Sequence, residues 1–299
     1  MNAHDKQDDQ LPGLQQVADE LDDINADIQV SESPLGKQTE YPTQYTPSVL
    51  HPMSRQQSRD ALGLLHVDSL RGEDLWTGYE FSWLNADGKP MVAGVRLHVP
   101  CQSEALVESK SLKLYLNSFA QTRFDTQAEV LNTLDQDLGL AFRAPVIVEL
   151  VDLHQLPAAA DTLAGTSLDQ QDVVISQYTR DPELLQLAEG KVNVKERCFT
   201  DLFRSLCPVT GQPDWASVQI EYAGPAIDRA GLLKYLISYR NHQAFHETTI
   251  EQIFCDLMEY CAPHELSVYG RFVRRGGLDI NPFRSNFEDQ APDIRLSRQ

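Results

Sequence analysis

The sequence predicts an α+β protein made of two tandem copies of one strand–strand–helix–helix–strand module. Both halves of the chain contain strand-like segments of alternating bulky residues and segments with the apolar spacing of helices. The two helical pairs also align without a gap, which indicates a degenerate internal repeat. Unrelated amphipathic helices can share such spacing by chance, so the repeat is a hypothesis. The matching positions are Tyr115 and Tyr235, Leu116 and Leu236, Ser118 and Ser238, Phe119 and Tyr239, Val130 and Ile250, and Leu134 and Phe254.

The first module is expected at residues 36–165, after an acidic arm at 1–35. The arm is rich in Asp, Gln and Ser and has too little apolar surface to pack well, although 14–21 could form a short helix. Two alternating segments flank an Asn-Ala-Asp-Gly turn, which is typical of a β-hairpin. After an irregular stretch at 41–71, we expect strands at 75–84 and 91–99, helices at 112–119 and 126–138, and a strand at 144–150.

The second module is expected at residues 166–299. Its first predicted element is a helix at 192–206, which leads into a loop that contains Cys207. Asp228 follows a Gly-Pro turn and is a good helix N-cap. The remaining expected elements are a strand at 217–222, helices at 232–239 and 247–260, and a strand at 266–273 that ends in Arg274-Arg275-Gly276-Gly277.

The composition limits the classes of function. The 299 residues carry a formal net charge of −19, which repels phosphate backbones, and we find no basic stripe interleaved with aromatic residues. Direct nucleic-acid binding is therefore not expected. No apolar run is long enough to span a bilayer, and the N-terminus lacks a secretory pattern. Five irregularly spaced cysteines without a CxxC pair fit a reducing cytoplasm and give no metal site.

A loop from Cys207 to Asp214 is the strongest candidate for chemistry. Pro208, Gly211 and Pro213 exclude a continuous helix or central strand here, so the segment is a stiff loop. A cysteine thiolate is a nucleophile, and a carboxyl group nearby can transfer protons to whatever the sulfur attacks. The alternative is that Cys207 is a small buried apolar residue and Asp214 only caps the following strand.

Three further polar segments could bind a charged, flat ligand. Glu108-Ser109-Lys110-Ser111 stands before a helix, where backbone amides and Lys110 favour anions and Glu108 can accept hydrogen bonds from a purine-like base. In Phe245-His246-Glu247, a ring can stack on the base and a carboxylate can read its N–H edge. Arg274-Arg275-Gly276-Gly277 lets a phosphate approach the backbone beside guanidinium groups. Each segment alone is also compatible with a helix cap or a surface turn.

Taken together, these motifs resemble the 7-cyano-7-deazaguanine reductases. These are NADPH-dependent nitrile reductases of queuosine biosynthesis, and the resemblance is to their long, two-module form. It covers residues from about 36 to the C-terminus, keeps the motifs in order, and includes the Glu-Ser-Lys-Ser motif that separates the family from its relatives. The resemblance implies a tunnelling fold, in which each module is an antiparallel sheet with two helices on one face, and a homodimer of two chains.

The resemblance also implies a role for each motif residue. Cys207 would attack the nitrile carbon of 7-cyano-7-deazaguanine to form a covalent thioimide, and Asp214 would donate protons. Two hydride transfers would then give the 7-aminomethyl product. The other assignments place Val107, Glu108, Ser109, Phe245, His246 and Glu247 on the base, and Ser109, Lys110, Arg275 and Gly276 on NADPH. No Gly-x-Gly-x-x-Gly segment follows a strand, so the cofactor is not expected to bind in the Rossmann manner.

Two other classes of function remain as alternatives. Zinc-dependent GTP cyclohydrolases with the same fold also recognise a purine through a glutamate, but they need a Cys/His ligand set. The nearest cysteine to Cys207 in sequence is Cys198, on the helix expected at 192–206. A non-catalytic binding module for tRNA or a partner protein is the second alternative, and the acidic charge argues against tRNA.

Overall fold

The computed structural model describes residues 41–156, 161–190 and 192–299. The acidic arm, with its expected short helix, lies outside these residues. The elements in chain order are β1 (Pro52–Ser54), α1 (Arg55–Ala61), β2 (Arg71–Leu84), β3 (Pro90–Pro100), β4 (Ala105–Val107), α2 (Ser109–Ser118), α3 (Gln127–Phe142), β5 (Ile147–Val151), β6 (Thr166–Ser167), β7 (Asn193–Leu206), β8 (Pro213–Pro225), α4 (Arg229–Ser238), α5 (His246–Cys261), β9 (Glu265–Phe272) and β10 (Leu278–Ser285).

Eight strands form one continuous sheet in the order β5-β3-β2-β10-β9-β8-β7-β6. Neighbouring strands are antiparallel except β6, which pairs in parallel with β7. The last strand, β10, pairs with β2 along its full length, from Leu278 opposite Gly78 to Ser285 opposite Arg71. The two halves of the chain are therefore joined at the β2–β10 pair, which we call the seam.

Helices α2 to α5 pack on one face of this sheet over two apolar cores. One core contains alternate residues of β2 and β3 with α2 and α3, for example Val95, Tyr115 and Leu134. The other contains alternate residues of β8 and β9 with α4 and α5, for example Val218 and Ile253. The predicted α+β architecture, with antiparallel strands and helices on one face, is confirmed. Among the described residues, no helix is both long and apolar enough to cross a membrane.

The helices begin where the sequence supplies a cap. Asp228 accepts a hydrogen bond from the Gly231 backbone N–H at 2.8 Å, which confirms it as the N-cap of α4. Thr126 caps α3 in the same way, with the Glu129 N–H as donor at 3.1 Å. The expected hairpin, helices and central strands of both halves lie within a few residues of their predicted bounds.

The helix expected at 192–206 is wrong, because this segment is strand β7. Apolar residues at Val194, Cys198 and Leu202 have helical spacing, but the chain is extended and pairs with β8. A β-bulge between Thr200 and Phe203 shifts the alternation of β7, and it leaves Leu202 42% exposed. This break in the two-residue period explains the error. Cys198 therefore faces the core from a strand, and burial raises the pKa of its thiol to about 12.

Several parts of the fold were not predicted, among them the short strands β4 and β6. The stretch at 41–71, expected to be irregular, contains β1 and α1. Strand β10 follows the Arg-Arg-Gly-Gly turn and was not expected because Asp279, Asn281 and Arg284 interrupt its apolar residues. These polar side chains are buried all the same.

A buried ionic network lies beside the seam. Arg284 of β10 donates to Asp74 of β2 at 2.7 Å and to Glu251 of α5 at 2.9 Å. Arg55 of α1 contacts the same two carboxylates at 2.7 and 3.2 Å, and Arg59 binds Glu251 at 2.9 Å. The network ties α5 to the seam and to the segment that precedes the first hairpin.

Candidate active site

A cleft lies at the seam on the helix-bearing side of the sheet. The sheet contributes Trp76 from β2 and Leu278 and Ile280 from β10, with Ile280 directly opposite Trp76 in the ladder. The rest comes from β1, β4, the starts of α2 and α5, the β7–β8 loop with the start of β8, and the β9–β10 turn. The other lining residues are Met53, Leu106, Val107, Ser109, Cys207, Pro208, Asp214, Phe245, His246, Glu247 and Arg275. Eight of the residues singled out from the sequence thus meet in one cleft.

The candidate nucleophile lies in the loop that joins β7 to β8. The Cys207 N–H donates to the Gln212 carbonyl at 2.9 Å, and the Cys207 carbonyl accepts from the Gly211 N–H at 3.0 Å. Gly211 has a φ of 65°, a left-handed conformation that glycine adopts without a Cβ clash. These bonds close residues 207–212 into a turn, whereas Pro213 and Asp214, also expected in the loop, begin strand β8. Cys207 is only 3% exposed.

Backbone hydrogen bonds hold this loop against the start of α5. The Leu206 N–H donates to the His242 carbonyl at 2.8 Å, and the Leu206 carbonyl accepts from the Ala244 N–H at 3.3 Å. The segment 242–244 leads directly into Phe245 and α5. The thiol of Cys207 and the Phe-His-Glu motif therefore share the cleft, although they are far apart in sequence.

Asp214, the second residue of β8, is bound from two sides. One carboxylate oxygen lies 3.3 Å from Nε2 of His246, and the other lies 3.1 Å from a guanidinium nitrogen of Arg275. The imidazole of His246 stacks on Phe272, with ring centroids 3.9 Å apart and planes within 4°. Arg275 also contacts the side chain of Gln212 in the β7–β8 loop. The carboxyl group of Asp214 is thus buried and oriented inside the cleft.

Glu247 lies in the first turn of α5 and is 3% exposed. Burial and the neighbouring Asp74 carboxylate raise the pKa of Glu247 to about 7, against its ordinary value of 4.5. Phe245 occupies the N-cap position of the helix and lines the cleft beside it. A carboxylate that is costly to keep charged is suited to a ligand that donates hydrogen bonds to it.

The start of α2 provides the opposite part of the cleft through Val107 and Ser109. Glu108 is turned away from the lining and caps the helix, with its carboxylate accepting from the N–H groups of Lys110 at 2.6 Å and Ser111 at 2.8 Å. Burial raises the pKa of Glu108, while these hydrogen bonds lower it. A carboxylate has acceptor capacity beyond two hydrogen bonds, so capping leaves Glu108 able to accept another.

Three of the four residues expected to hold the cofactor line one of two adjoining cavities. Ser109 and Arg275 line the cleft itself. Gly276, with a φ of 62°, lines a second cavity that shares Leu278 with the cleft and also contains Gly277 and Lys113. Lys110 lines neither cavity.

Family models and curated proteins match most of the chain. A family model described as "Nitrile reductase, 7-cyano-7-deazaguanine-reductase N-term" matches residues 41–150, and one described as "QueF-like protein" matches 213–291. A Burkholderia lata protein named NADPH-dependent 7-cyano-7-deazaguanine reductase is 51% identical over 269 residues, which is 89% of this chain and 98% of the relative. A Burkholderia multivorans protein of the same name is 50% identical with the same coverage.

The chain belongs to the 7-cyano-7-deazaguanine reductase family.

A solved structure of the archaeosine synthase QueF-Like in its apo form is also similar, at 20% identity. It covers 35% of this chain and 99% of its own, with a TM-score of 0.27. The resemblance of the motifs to the reductase family, inferred from sequence alone, is confirmed by the matches above.

Some residues of the cleft in this reductase-family chain could not be predicted from the sequence. The sequence gives no sign that Trp76, Leu278 and Ile280 belong to a site, because bulky apolar residues are common in strands. Only the pairing of β2 with β10 brings them together. The contact between His246 and Asp214 likewise had no sequence signal. In the described parts of the chain, no three His, Cys, Asp or Glu side chains are grouped closely enough to hold a metal ion.

Proposed function

We propose that this chain reduces the nitrile of 7-cyano-7-deazaguanine to a primary amine with NADPH, giving 7-aminomethyl-7-deazaguanine for tRNA queuosine biosynthesis. The observation that carries the proposal is the enclosure of Cys207, Asp214, His246 and Glu247 in one cleft. This set supplies a nucleophile, a proton source and a base-reading carboxylate. The names of relatives about 50% identical over most of the chain support the reaction and the cofactor.

Cys207 is assigned the first step. Its sulfur bonds to the nitrile carbon, one of the carbon–nitrogen π bonds breaks, and the nitrogen takes up a proton, which gives a covalent thioimide. The sulfur tether keeps the carbon in place for reduction. Burial of Cys207 within the closed loop limits access of water, which would otherwise hydrolyse the adduct or the later imine.

Asp214 is assigned the proton transfers. In the complete reaction, the nitrile takes up two hydrides and two protons to give the amine. The first hydride adds to the thioimide carbon, and cleavage of the carbon–sulfur bond then returns the thiolate of Cys207 and leaves an imine. The second hydride adds to the imine carbon. Asp214, with Arg275 and His246 around its carboxyl group, is suited to deliver protons to the nitrogen.

Four residues in or near the cleft and the adjoining cavity fit a dinucleotide with phosphate groups. NADPH, when bound, supplies the two hydrides, one from each of two successive cofactor molecules. Arg275 offers a guanidinium on the rim, Gly276 exposes backbone without a Cβ, and Ser109 and Lys110 stand at the amide-rich start of α2. We assign these four residues to the cofactor.

The base is assigned to the starts of the two helices. Glu247 and Glu108 are assigned as acceptors for the ring N–H and amino groups, with Glu247 lining the cleft and Glu108 capping α2 next to it. Val107, Ser109 and His246 line the walls, and Phe245 covers the ring. The raised pKa of Glu247 supports this role because a donor edge stabilises the charged carboxylate.

The proposed organisation comprises an arm at 1–35 and modules at 36–165 and 166–299. Matching contacts support two modules: the Ser118 hydroxyl accepts from the Thr46 N–H, and the Ser238 hydroxyl accepts from the Asp181 N–H, both at 3.2 Å. We also propose a homodimer, since β5 and β6 end the sheet without a strand beyond them in the described chain. The charge of −19 supports the absence of direct nucleic-acid binding, and five free cysteines support the cytoplasm.

The test is NADPH oxidation by purified protein with 7-cyano-7-deazaguanine, compared with Cys207→Ala. We expect two NADPH consumed per nitrile by the wild type, no measurable turnover by Cys207→Ala, and a mass adduct on the wild type alone. Cys198→Ala, a buried cysteine outside the cleft, is the control and should stay active. Turnover by Cys207→Ala would remove the covalent mechanism. No oxidation by folded wild type would reject the reaction.

A further inference from the structure

Trp76 lines the cleft and carries a buried polar group, the indole N–H, that the proposed reaction leaves without a role. The residue is on β2, is 1% exposed and lines the cleft. Its indole N–H has no hydrogen-bond partner among the described residues. A buried tryptophan N–H usually has a partner, because an unpaired buried donor is costly. The exception calls for an explanation at this position.

The cross-strand and ring neighbours of Trp76 are apolar. Its cross-strand neighbours are Leu97 on β3 and Ile280 on β10, both apolar. Phe142 of α3 packs against the indole in a T-shaped arrangement with centroids 6.2 Å apart. The ring is therefore held in place by apolar contacts, and its N–H remains unpaired in the described structure.

Another residue of the cleft also has a buried polar atom that is unpaired in the described chain. Besides the indole nitrogen, Nδ1 of His246 has no hydrogen-bond partner among the described residues. Both belong to residues that line the cleft. Sites that bind a polar ligand leave such atoms unsatisfied until the ligand arrives. An indole N–H can only donate, so the atom it meets must be an acceptor.

We propose that the Trp76 N–H donates a hydrogen bond to the ring carbonyl oxygen of the bound base. The inference rests on the proposed function. In that function, the Glu247 carboxylate accepts hydrogen bonds from the donor edge of the base, and Cys207 attacks the nitrile. The ring carbonyl oxygen lies between these two groups, on the nitrile side of the six-membered ring. It is the acceptor in that part of the base that still needs a donor. Trp76 then selects an oxo base over one with an amino group at that position, because an amino group offers hydrogens instead of a lone pair.

The test measures non-covalent affinity in the Cys207→Ala parent by calorimetry, which removes the adduct from the equilibrium. Two ligands are compared: 7-cyano-7-deazaguanine and its thio analogue, in which sulfur, a weak acceptor, replaces the carbonyl oxygen while the ring N–H is kept. We expect the parent to bind the thio analogue about 10-fold more weakly. With Trp76→Phe added, 7-cyano-7-deazaguanine should bind about 10-fold more weakly, and the two ligands should become nearly equal.

Trp83→Phe in the same parent is the matched control. Trp83 is also a buried residue of β2, packs on Phe81 and does not line the cleft. It should keep the full preference for oxygen over sulfur. The inference is overturned if Trp76→Phe keeps that preference.

The inference about Trp76 is also overturned if the parent binds both ligands equally. This comparison does not depend on whether the Trp76→Phe variant folds. In either case binding of 7-cyano-7-deazaguanine by the parent leaves the proposed function in place. Failure of the folded parent to bind that base at all would overturn both.

Discussion

Nε2 of His246 lies 3.3 Å from the Asp214 carboxylate, and the imidazole is stacked on Phe272. The stack fixes the plane of the imidazole, and α5 fixes its backbone. His246 therefore orients the proposed proton donor as well as lining the cleft. The sequence analysis placed His246 only on the base, so its contact with Asp214 adds a second role.

We expect Asp214→Asn to lower turnover by about 10²–10⁴-fold, because the amide cannot deliver a proton to the substrate nitrogen. His246→Phe keeps an aromatic ring on Phe272 but removes Nε2, and should lower turnover by about 10-fold or more. Both effects are measured as single-turnover NADPH oxidation at saturating substrate.

The double variant tests whether His246 acts through Asp214. If it does, Asp214→Asn with His246→Phe should be about as slow as Asp214→Asn alone, since coupled residues are not additive. Fully additive losses would show that His246 acts independently of Asp214. The base affinity of each variant in the Cys207→Ala background serves as the control for site integrity.

Base affinity should increase with pH around neutrality. Glu247 has a pKa raised to about 7, and only its ionised form accepts two hydrogen bonds from the base. Below this pKa the carboxylate must first lose a proton, so binding should weaken by about 10-fold for each pH unit below 7 and level off above it. Calorimetry of Cys207→Ala in buffers of different ionisation enthalpy would measure the released proton.

Glu247→Gln supplies the contrast for that titration. Its affinity should be lower but independent of pH between about 6 and 8. A wild-type-like slope in this variant would assign the titration to another group.

The stability of the fold should depend on the pairing of buried carboxylates with buried arginines in the ionic network beside the seam. Glu251→Gln leaves Arg55 and Arg284 buried without their shared carboxylate, and should lower the free energy of unfolding by about 3–5 kcal/mol. Urea unfolding at pH 7 measures this. Arg71→Ala, which breaks an exposed ion pair with Asp289, should leave the urea midpoint nearly unchanged and is the control.

Glu251 should also make the stability of the fold depend on pH. Burial alone would raise the pKa of Glu251, but Arg284 and Arg59 hold it at about 2, below its ordinary value of 4.5. Its contribution is therefore present above about pH 4.5 and is lost as the pH falls towards 2. The difference between wild type and Glu251→Gln should shrink over that range. A constant difference would contradict the assignment.

The side chain of Gln299 should stabilise the helix-free side of the sheet. It accepts from Arg271 Nε at 2.8 Å and donates to the Phe272 carbonyl at 3.0 Å and to Asn281 at 2.7 Å. Gln299→Ala leaves these buried groups unpaired and should cost about 2 kcal/mol, measured by urea unfolding. Arg298→Ala, at an exposed neighbouring position, should change stability by less than about 0.5 kcal/mol. Equal effects of the two changes would refute this role.

Most helices and strands could be predicted because their signals lie in a few consecutive residues. Residues 75–84 and 91–99 alternate around a turn, and Asp228 offers its carboxylate to an N–H three residues ahead. Strand β7 was missed because its bulge breaks the two-residue period. Strand β10 was missed because the groups that satisfy Asp279 and Arg284 come from distant segments.

The sequence by itself determined the α+β class, the family and most residues of the cleft, since its motifs are short and each carries its own chemistry. The tertiary structure alone decided how those motifs meet. Pairing of β10 with β2 creates the seam and places Trp76 opposite Ile280, and hydrogen bonds from Leu206 to segment 242–244 bring Cys207 to α5. These contacts join residues far apart in the chain, so no local pattern encodes them, and only the folded sheet can satisfy them.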